Sequence, residues 1–190
     1  KEFARAADVL ARGVADREYL LGDTFTMADV LAGHTLVWAT MMYKLELPEH
    51  LGGYGAPPSV AWAAFELLSG ANPALTFYLL GNFHPKVVDE LGTEDQKARY
   101  LRNILDRQWG GTMVLTEPDA GSDVGAGTTK AIHVAGDEYQ IEGVKRFITN
   151  GDFDGTENII HLVLARPEGH GPGTKGLSMF IVPKFWVNED

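Results

Sequence analysis

The change in apolar periodicity at Gly110-Gly111 constrains the fold of this chain more than any other sequence feature. Before it, apolar residues recur at the three- and four-residue steps of helices. After it come short runs rich in Ile, Val, Thr and Phe, separated by Gly, Asp, Asn and Pro. Helices followed by strands predict an α+β fold with an antiparallel, barrel-like or sandwich sheet, rather than alternating β/α units. The predicted strands are Thr112–Leu115, Ile132–Val134, Tyr139–Thr149, Asn158–Ala165 and Leu177–Val182.

Helix starts in the first half are marked by local signals. Thr26 with Asp29, and Thr93 with Gln96, have the spacing of capping boxes, in which side chain and backbone satisfy each other across the first turn. Pro57-Pro58 is typical of a further helix start. The apolar run Phe77–Leu80 indicates core, or alternatively the border of an apolar ligand tunnel.

Composition excludes several classes of function. With 16 basic and 26 acidic residues the net charge is −10, which argues against a nucleic-acid or anionic-membrane surface. The sequence has no cysteine and no apolar run approaching the ~20 residues of a membrane helix. Its six histidines lack metal-ligand spacing, so no metal site is predicted. The absence of a signal peptide and of cysteine fits a cytoplasmic protein.

The first helices resemble one known family. The run Tyr19–Trp38, which includes the Thr26–Asp29 box, is similar to the C-terminal helical domain of glutathione transferases. In that family the box is a folding element and not a catalytic one. The resemblance implies that residues 1–45 are a separate helical segment.

Three later segments resemble the flavin-dependent acyl-CoA dehydrogenases. Leu91–Lys97 is similar to that family's Leu-Gly-(Thr/Ser)-Glu-x-Gln-Lys segment, and Leu115–Asp123 to its Thr-Glu-Pro-x-Ala-Gly-Ser-Asp signature. Gly143–Gly151 is similar to its Gly-x-Lys-x-(Trp/Phe)-Ile-(Thr/Ser)-Asn strand. The resemblance implies a helical region at residues 46–109 and an incomplete middle β-domain at residues 110–190. The chain is therefore interpreted as a chimera joined near Leu47–Gly55, or alternatively as one divergent dehydrogenase.

The resemblance also implies FAD as cofactor and names the residues that would contact it. Small residues such as Gly121 let backbone amides approach a ligand closely, and hydroxyl groups can donate hydrogen bonds to it. Phe147 would form an apolar wall beside the flavin ring and Thr149 a donor, while Ser122 would also reach the acyl-CoA substrate. The alternative is an ordinary turn in which Pro118, Asp119 and Gly121 are only turn residues. The candidate FAD contacts are Met113, Leu115, Thr116, Gly121, Ser122, Phe147, Ile148 and Thr149.

No catalytic residue is predicted within the chain. In the family the α-proton is removed by a carboxylate of a C-terminal helical domain, which we expect to lie beyond Asp190. Glu117 and Asp123 are interpreted as structural carboxylates that fix a turn. Lys130, Lys145 and Arg146 are interpreted as solvated charges on strand faces, or alternatively as contacts for the CoA phosphates.

The predicted function is FAD-dependent oxidation of an acyl-CoA to the trans-2-enoyl-CoA in fatty-acid β-oxidation, with the isolated chain inactive. The resemblance implies an electron-transfer flavoprotein as partner and a homo-oligomeric parent enzyme. One alternative is a glutathione transferase-like protein. Another is a non-catalytic fusion or interaction fragment.

Overall fold

The computed structural model describes residues 44–45, 47–71, 73, 83–152 and 154–187, together with Thr24. The predicted first helices, with the Thr26–Asp29 box, and the run Phe77–Leu80 lie outside the described residues. The chain divides into two compact units. Residues 1–109 with 154–157 are called the helical unit, and residues 110–153 with 158–190 the sheet unit.

The helical unit contains the predicted helix start at Thr93. The Thr93 hydroxyl accepts from the Gln96 amide at 3.3 Å, and the Gln96 side chain accepts from the Thr93 amide at 3.0 Å, which confirms the capping box. The helix that follows passes through a π-helical turn and ends at Gln108, whose φ of 50° is left-handed. Its described helices are α1 Pro58–Ala71, α2 Phe83–Leu91, α3 Glu94–Gln96 and α4 Arg102–Arg107, with a 3₁₀ turn at Glu49–Leu51 and the π-helical turn at Lys97–Leu101.

Helix α1 buries a narrow stripe. Ala61, Ala64 and Leu68 recur at i, i+3 and i+7 and are buried, with Leu45 and Phe65 packed against the last two. The predicted helix start at Pro57-Pro58 is confirmed. No described helix is long and apolar enough to cross a lipid bilayer.

The described residues of the sheet unit form five strands: β1 Gly110–Val114, β2 Lys130–Ala135, β3 Glu138–Glu142, β4 Ile159–Pro167 and β5 Ser178–Pro183. The strand β4 is central and pairs with β1, β2 and β5. Both faces of β4 are packed, since Ile159, Ile160, Leu162 and Ala165 are all fully buried. The Tyr139 ring of β3 packs against that of Phe180 in β5, with centroids 5.1 Å apart, so the β2–β3 hairpin also contacts β5.

The sheet is mixed and not purely antiparallel as predicted. The predicted order of helices followed by strands is confirmed, and the β2–β3 and β4–β5 pairs are antiparallel. The β1–β4 and β2–β4 pairs are parallel, so the prediction was wrong for them. Antiparallel neighbours can be joined by a short turn, whereas parallel neighbours need a long crossover. Residues 115–158 provide that crossover between β1 and β4, and they contain all of the candidate FAD contacts except Met113, which lies on β1.

Candidate functional site

A tight turn follows β1. The Glu117 amide donates to the Ala120 carbonyl at 3.0 Å, and the Ala120 amide donates back to Glu117 at 3.2 Å. Pro118 and Asp119 therefore occupy an exposed tip. Gly121 follows in an open position, since a Cβ added there would meet no atom within 4 Å. The turn thus leaves the next backbone groups accessible to a ligand.

The segment after β3 leaves the sheet earlier than predicted. The predicted strand Tyr139–Thr149 ends at Glu142, so the prediction was wrong beyond that residue. Gly143 packs so closely on Thr129 that a Cβ would lie 2.3 Å from its Oγ1, a contact that no other residue type allows. Phe147 then adopts a left-handed φ of 59°, which breaks strand geometry. Its side chain is 84% exposed.

The turn and this segment lie side by side. The Arg146 amide donates to the Thr116 carbonyl at 3.0 Å. The Lys145 ammonium donates to the Leu115 carbonyl at 2.9 Å. The structure therefore brings together the two segments from which the candidate FAD contacts were predicted.

The Glu117 carboxylate holds the turn after β1 and the segment after β3 together through four hydrogen bonds. One oxygen accepts from the Thr128 amide at 2.6 Å and from its hydroxyl at 3.0 Å. The other accepts from the Thr129 amide and from the Lys145 ammonium, each at 3.0 Å. The side chains of Lys145 and Glu117 are only 12% and 5% exposed. We call Glu117, Lys145, Thr128 and Thr129 the Glu117 clasp.

The clasp keeps Glu117 ionised. Burial alone would raise the pKa of its carboxyl group, but hydrogen bonds from Thr129, from the Thr128 amide and from Lys145 outweigh burial and lower the pKa to about 2. Among the described residues the Thr129 hydroxyl makes no hydrogen bond of normal geometry, so we assign the direct contact of Thr129 to its amide. The interpretation of Glu117 as a structural carboxylate is supported by these bonds.

The structure does not place the predicted basic residues alike. Lys145 was expected to be a solvated strand-face charge, and that expectation is wrong because its ammonium is buried against Glu117 and Leu115. Arg146 is exposed, with its guanidinium 5.6 Å from the Phe147 ring centroid. Lys130 is exposed on β2. The adjacent Arg146 carries the same charge, so the local sequence gives no signal that separates the buried lysine from the exposed arginine.

The predicted contact residues differ in accessibility. Met113 is 37% exposed on β1, where its neighbours Thr112 and Val114 are buried. The other seven predicted contact residues lie in the two loops and are either half-buried or exposed. The half-buried residues are Leu115, Thr116 and Ile148, and the exposed ones are Gly121, Ser122, Phe147 and Thr149.

A second basic residue organises the loop after Ser122. The Arg166 guanidinium donates to the carbonyls of Gly125 at 2.8 Å and Gly173 at 3.1 Å, and also to that of Gly171. It thereby links the 3₁₀ turn Val124–Ala126 to the loop before β5. In the described part of the chain, no group of three or more His, Asp or Glu side chains is placed to hold a metal ion.

Two parts of the chain are similar to known protein families. Residues 112–187 match the family model described as "Acyl-CoA dehydrogenase, middle domain". Over these residues the chain is similar to that domain. The match runs from within β1 to beyond β5 and includes both candidate loops. Residues 1–58 match a second model, "Glutathione S-transferase, C-terminal domain".

Individual relatives give the same family. A broad-specificity linear acyl-CoA dehydrogenase of Mycobacterium tuberculosis is 56% identical over 143 residues, covering 75% of this chain and 23% of the relative. A butyryl-CoA dehydrogenase of Syntrophomonas wolfei is 47% identical over 135 residues, covering 69% of this chain and 22% of the relative. The chain thus spans less than a quarter of each.

A solved structure shows the shared fold. Butyryl-CoA dehydrogenase from Megasphaera elsdenii is similar with a TM-score of 0.60 and 22% sequence identity. The match covers 96% of this chain and 46% of that one. At this identity the likeness concerns the fold alone.

Proposed function

We propose that the sheet unit contributes part of the FAD site of an acyl-CoA dehydrogenase, which oxidises an acyl-CoA to the trans-2-enoyl-CoA in fatty-acid β-oxidation. The observation that carries the proposal is the joining of the Thr116 and Arg146 segments by a backbone hydrogen bond beside the exposed Phe147 ring. The middle-domain match and the names of the relatives support it.

The residues of the two loops fit a flat, partly apolar cofactor. Phe147 presents an exposed aromatic ring and Met113 a partly exposed thioether, which suit contact with a heteroaromatic ring. Thr116, Ser122 and Thr149 carry hydroxyl groups, and the open backbone at Gly121 allows close approach. We propose that these residues, with Leu115 and Ile148, hold FAD. When bound, FAD would supply the acceptor for the hydride.

The α-proton would be removed by a group outside residues 1–190. A carboxylate with a pKa of about 2 is a poor base near neutral pH, and Glu117 is fully engaged with its clasp. Asp123 is exposed, and its carbonyl accepts from the Ala126 amide in the 3₁₀ turn. We therefore propose a structural role for Glu117. The structural role of Asp123 and the contact of Ser122 with the acyl-CoA are proposed from the resemblance to the family signature alone.

The wider setting follows from the same proposal. Electrons would leave to an electron-transfer flavoprotein, the parent enzyme would be a homo-oligomer, and it would act in the cytoplasm. The net charge of −10 disfavours nucleic acid and anionic membranes as partners. Residues 1–45, 46–109 and 110–190 would be the transferase-like segment, the dehydrogenase-type helical region and the middle domain.

The proposal is tested by flavin content and reduction. The product of the complete reading frame that encodes residues 1–190 should purify with FAD, and acyl-CoA added without oxygen should bleach its visible absorbance. The 190-residue chain alone should show no bleaching and weak or no FAD binding. A flavin-free product of the complete frame would overturn the proposal.

The match of residues 1–58 to the glutathione S-transferase model favours a second candidate, a transferase-like protein. Retention of the complete product on glutathione resin, with release by free glutathione, would support it. Absence of retention together with acyl-CoA bleaching would leave the dehydrogenase proposal alone.

A further inference from the structure

The Lys145 ammonium is placed to control the segment that follows it. It donates to the Leu115 carbonyl and to Glu117, both of which lie in the neighbouring loop. Only 12% of its side chain is exposed, so it cannot bind a phosphate group without breaking its ion pair with Glu117. Its position suits an internal fastening role and not a contact with CoA.

Phe147, two residues further on, is held in an unfavourable conformation. A left-handed backbone costs a residue with a Cβ about 1–2 kcal/mol, and bulky residues adopt it rarely. The exposed ring gains little from burial that could offset this cost. Such strain persists only where neighbouring contacts over-determine the backbone.

The hydrogen bonds on either side of Phe147 hold its backbone in this conformation. On one side are the two bonds of Lys145 and the bond from the Arg146 amide to Thr116. On the other, the Gly151 amide donates to the Ile148 carbonyl at 3.0 Å. Of these contacts the Lys145 bonds are charge-assisted, and they are therefore the strongest.

We propose that Lys145 is a positioning residue, which through Leu115 and Glu117 holds Phe147 left-handed with its ring presented to the ligand of the two loops. That this ligand is FAD rests on the function proposed above. Glu117 keeps its three bonds from Thr128 and Thr129 when Lys145 is replaced, so the turn is anchored independently. Removing Lys145 also leaves the buried Glu117 carboxylate without its charge partner, which lowers the stability of the sheet unit, but the largest local effect falls on the segment from Lys145 to Asn150.

Hydrogen exchange on the 190-residue chain tests the positioning role. Lys145→Met should speed exchange of the Arg146 amide by about tenfold to a hundredfold, the equivalent of a lost charged hydrogen bond. Amides of β4 should accelerate less than the Arg146 amide, because only the loss of global stability reaches them. Lys175→Met, the same change at an exposed lysine, should alter neither. Equal acceleration throughout the sheet unit would show a merely structural role, and unchanged Arg146 exchange would overturn the proposal.

A double variant guards against loss of folding. Glu117→Gln with Lys145→Met leaves no unpaired buried charge, which is the costly consequence of removing one partner alone. It should remain folded and still show fast exchange at Arg146. Slow Arg146 exchange in this variant would contradict the role of Lys145.

FAD binding by the product of the complete reading frame distinguishes the positioning role of Lys145 from the proposed function. Lys145→Met should weaken FAD affinity by about tenfold or more relative to Lys175→Met and alter the visible flavin spectrum. If exchange is accelerated selectively at Arg146 but neither the native protein nor any variant binds FAD, the proposed function is refuted and the positioning role stands. FAD bound equally well by Lys145→Met would refute the link between Lys145 and the ligand.

Discussion

Two lysine–carboxylate pairs in the sheet unit differ in what surrounds them. Lys145–Glu117 and Lys184–Asp152 join residues 28 and 32 positions apart. In the first pair the side chains are 12% and 5% exposed, and in the second 26% and 81%. The same residue types thus form one buried and one largely solvated link.

The carboxylates respond differently to their surroundings. The pKa of Asp152 is lowered by the hydrogen bond from Lys184 and then by its charge, with water still available to the carboxylate. Glu117 must overcome burial, and it does so because Thr129, Thr128 and Lys145 donate to it together. A buried pair therefore depends on its additional donors, whereas an exposed one does not.

Each pair also lies near a left-handed residue. Phe147 is two residues after Lys145, and Asn150, with φ of 56°, is two before Asp152. Asn adopts this conformation readily, whereas Phe does so at a real cost. The strained residue is found beside the buried pair, whose contacts can hold an unfavourable backbone conformation.

The largest expected effect is that of Glu117→Gln. It leaves the Lys145 ammonium buried without a charge partner and turns an amide NH₂ towards existing donors, so we expect a loss of ~3–5 kcal/mol in the free energy of unfolding. Urea denaturation followed by circular dichroism measures it. Glu138→Gln, the same change at an exposed position of β3, is the control and should be neutral. A loss of unfolding free energy no larger than that of an ordinary surface pair would show that the buried pair is energetically no different from the exposed one.

Acid should remove the contribution of Glu117. Its folded pKa of about 2 lies below the unfolded value of 4.5, so the stabilisation is present above pH 4.5 and is lost as the pH falls towards 2. The shift corresponds to on the order of 3 kcal/mol. Unfolding free energies measured across this range should fall steeply in the native chain and less steeply in Glu117→Gln. Parallel slopes would assign the acid sensitivity to other carboxylates.

The sequence predicted the regular parts of the fold better than the site. The capping box at Thr93 and the change to strands after Gly110 depend on local periodicity and local hydrogen bonds, which neighbouring residues encode. The parallel β1–β4 pairing depends on how residues 115–158 cross over, which no local pattern specifies.

Within the site, the two loops could be named from their motifs but their fastening could not. The strand predicted through Phe147 failed because Gly143 and the Lys145–Glu117 pair divert the chain, and both are contacts over long sequence separations. Local preference and final structure disagree at this position, as is common at functional sites. Glu117 was predicted to be structural, but its partner Lys145 was assigned to the solvent.

A smaller effect should distinguish Phe147→Gly from Phe147→Ala. At most exposed positions Gly is the less stable of the two, but at a left-handed φ of 59° it avoids the clash of Cβ with the backbone. Both variants lose the Arg146 contact with the ring, so that term cancels. We expect the Gly variant to be more stable by about 1 kcal/mol in urea denaturation. A more stable Ala variant would mean that Phe147 is not strained.

The smallest expected effect on the free energy of unfolding is that of Asp152→Asn, which removes the carboxylate of the exposed pair. Its side chain is 81% exposed, so water replaces the lost interaction and Lys184 regains the freedom that pairing had cost. The Lys184 ammonium also lies 5.3 Å from the Phe185 ring centroid, a second interaction that the substitution does not itself remove. The urea midpoint should therefore lie close to that of the native chain, and any small difference at low salt should disappear at high salt, because salt screens a solvated charge pair. A loss comparable to that of Glu117→Gln would show that burial and additional donors are not what separates the two pairs.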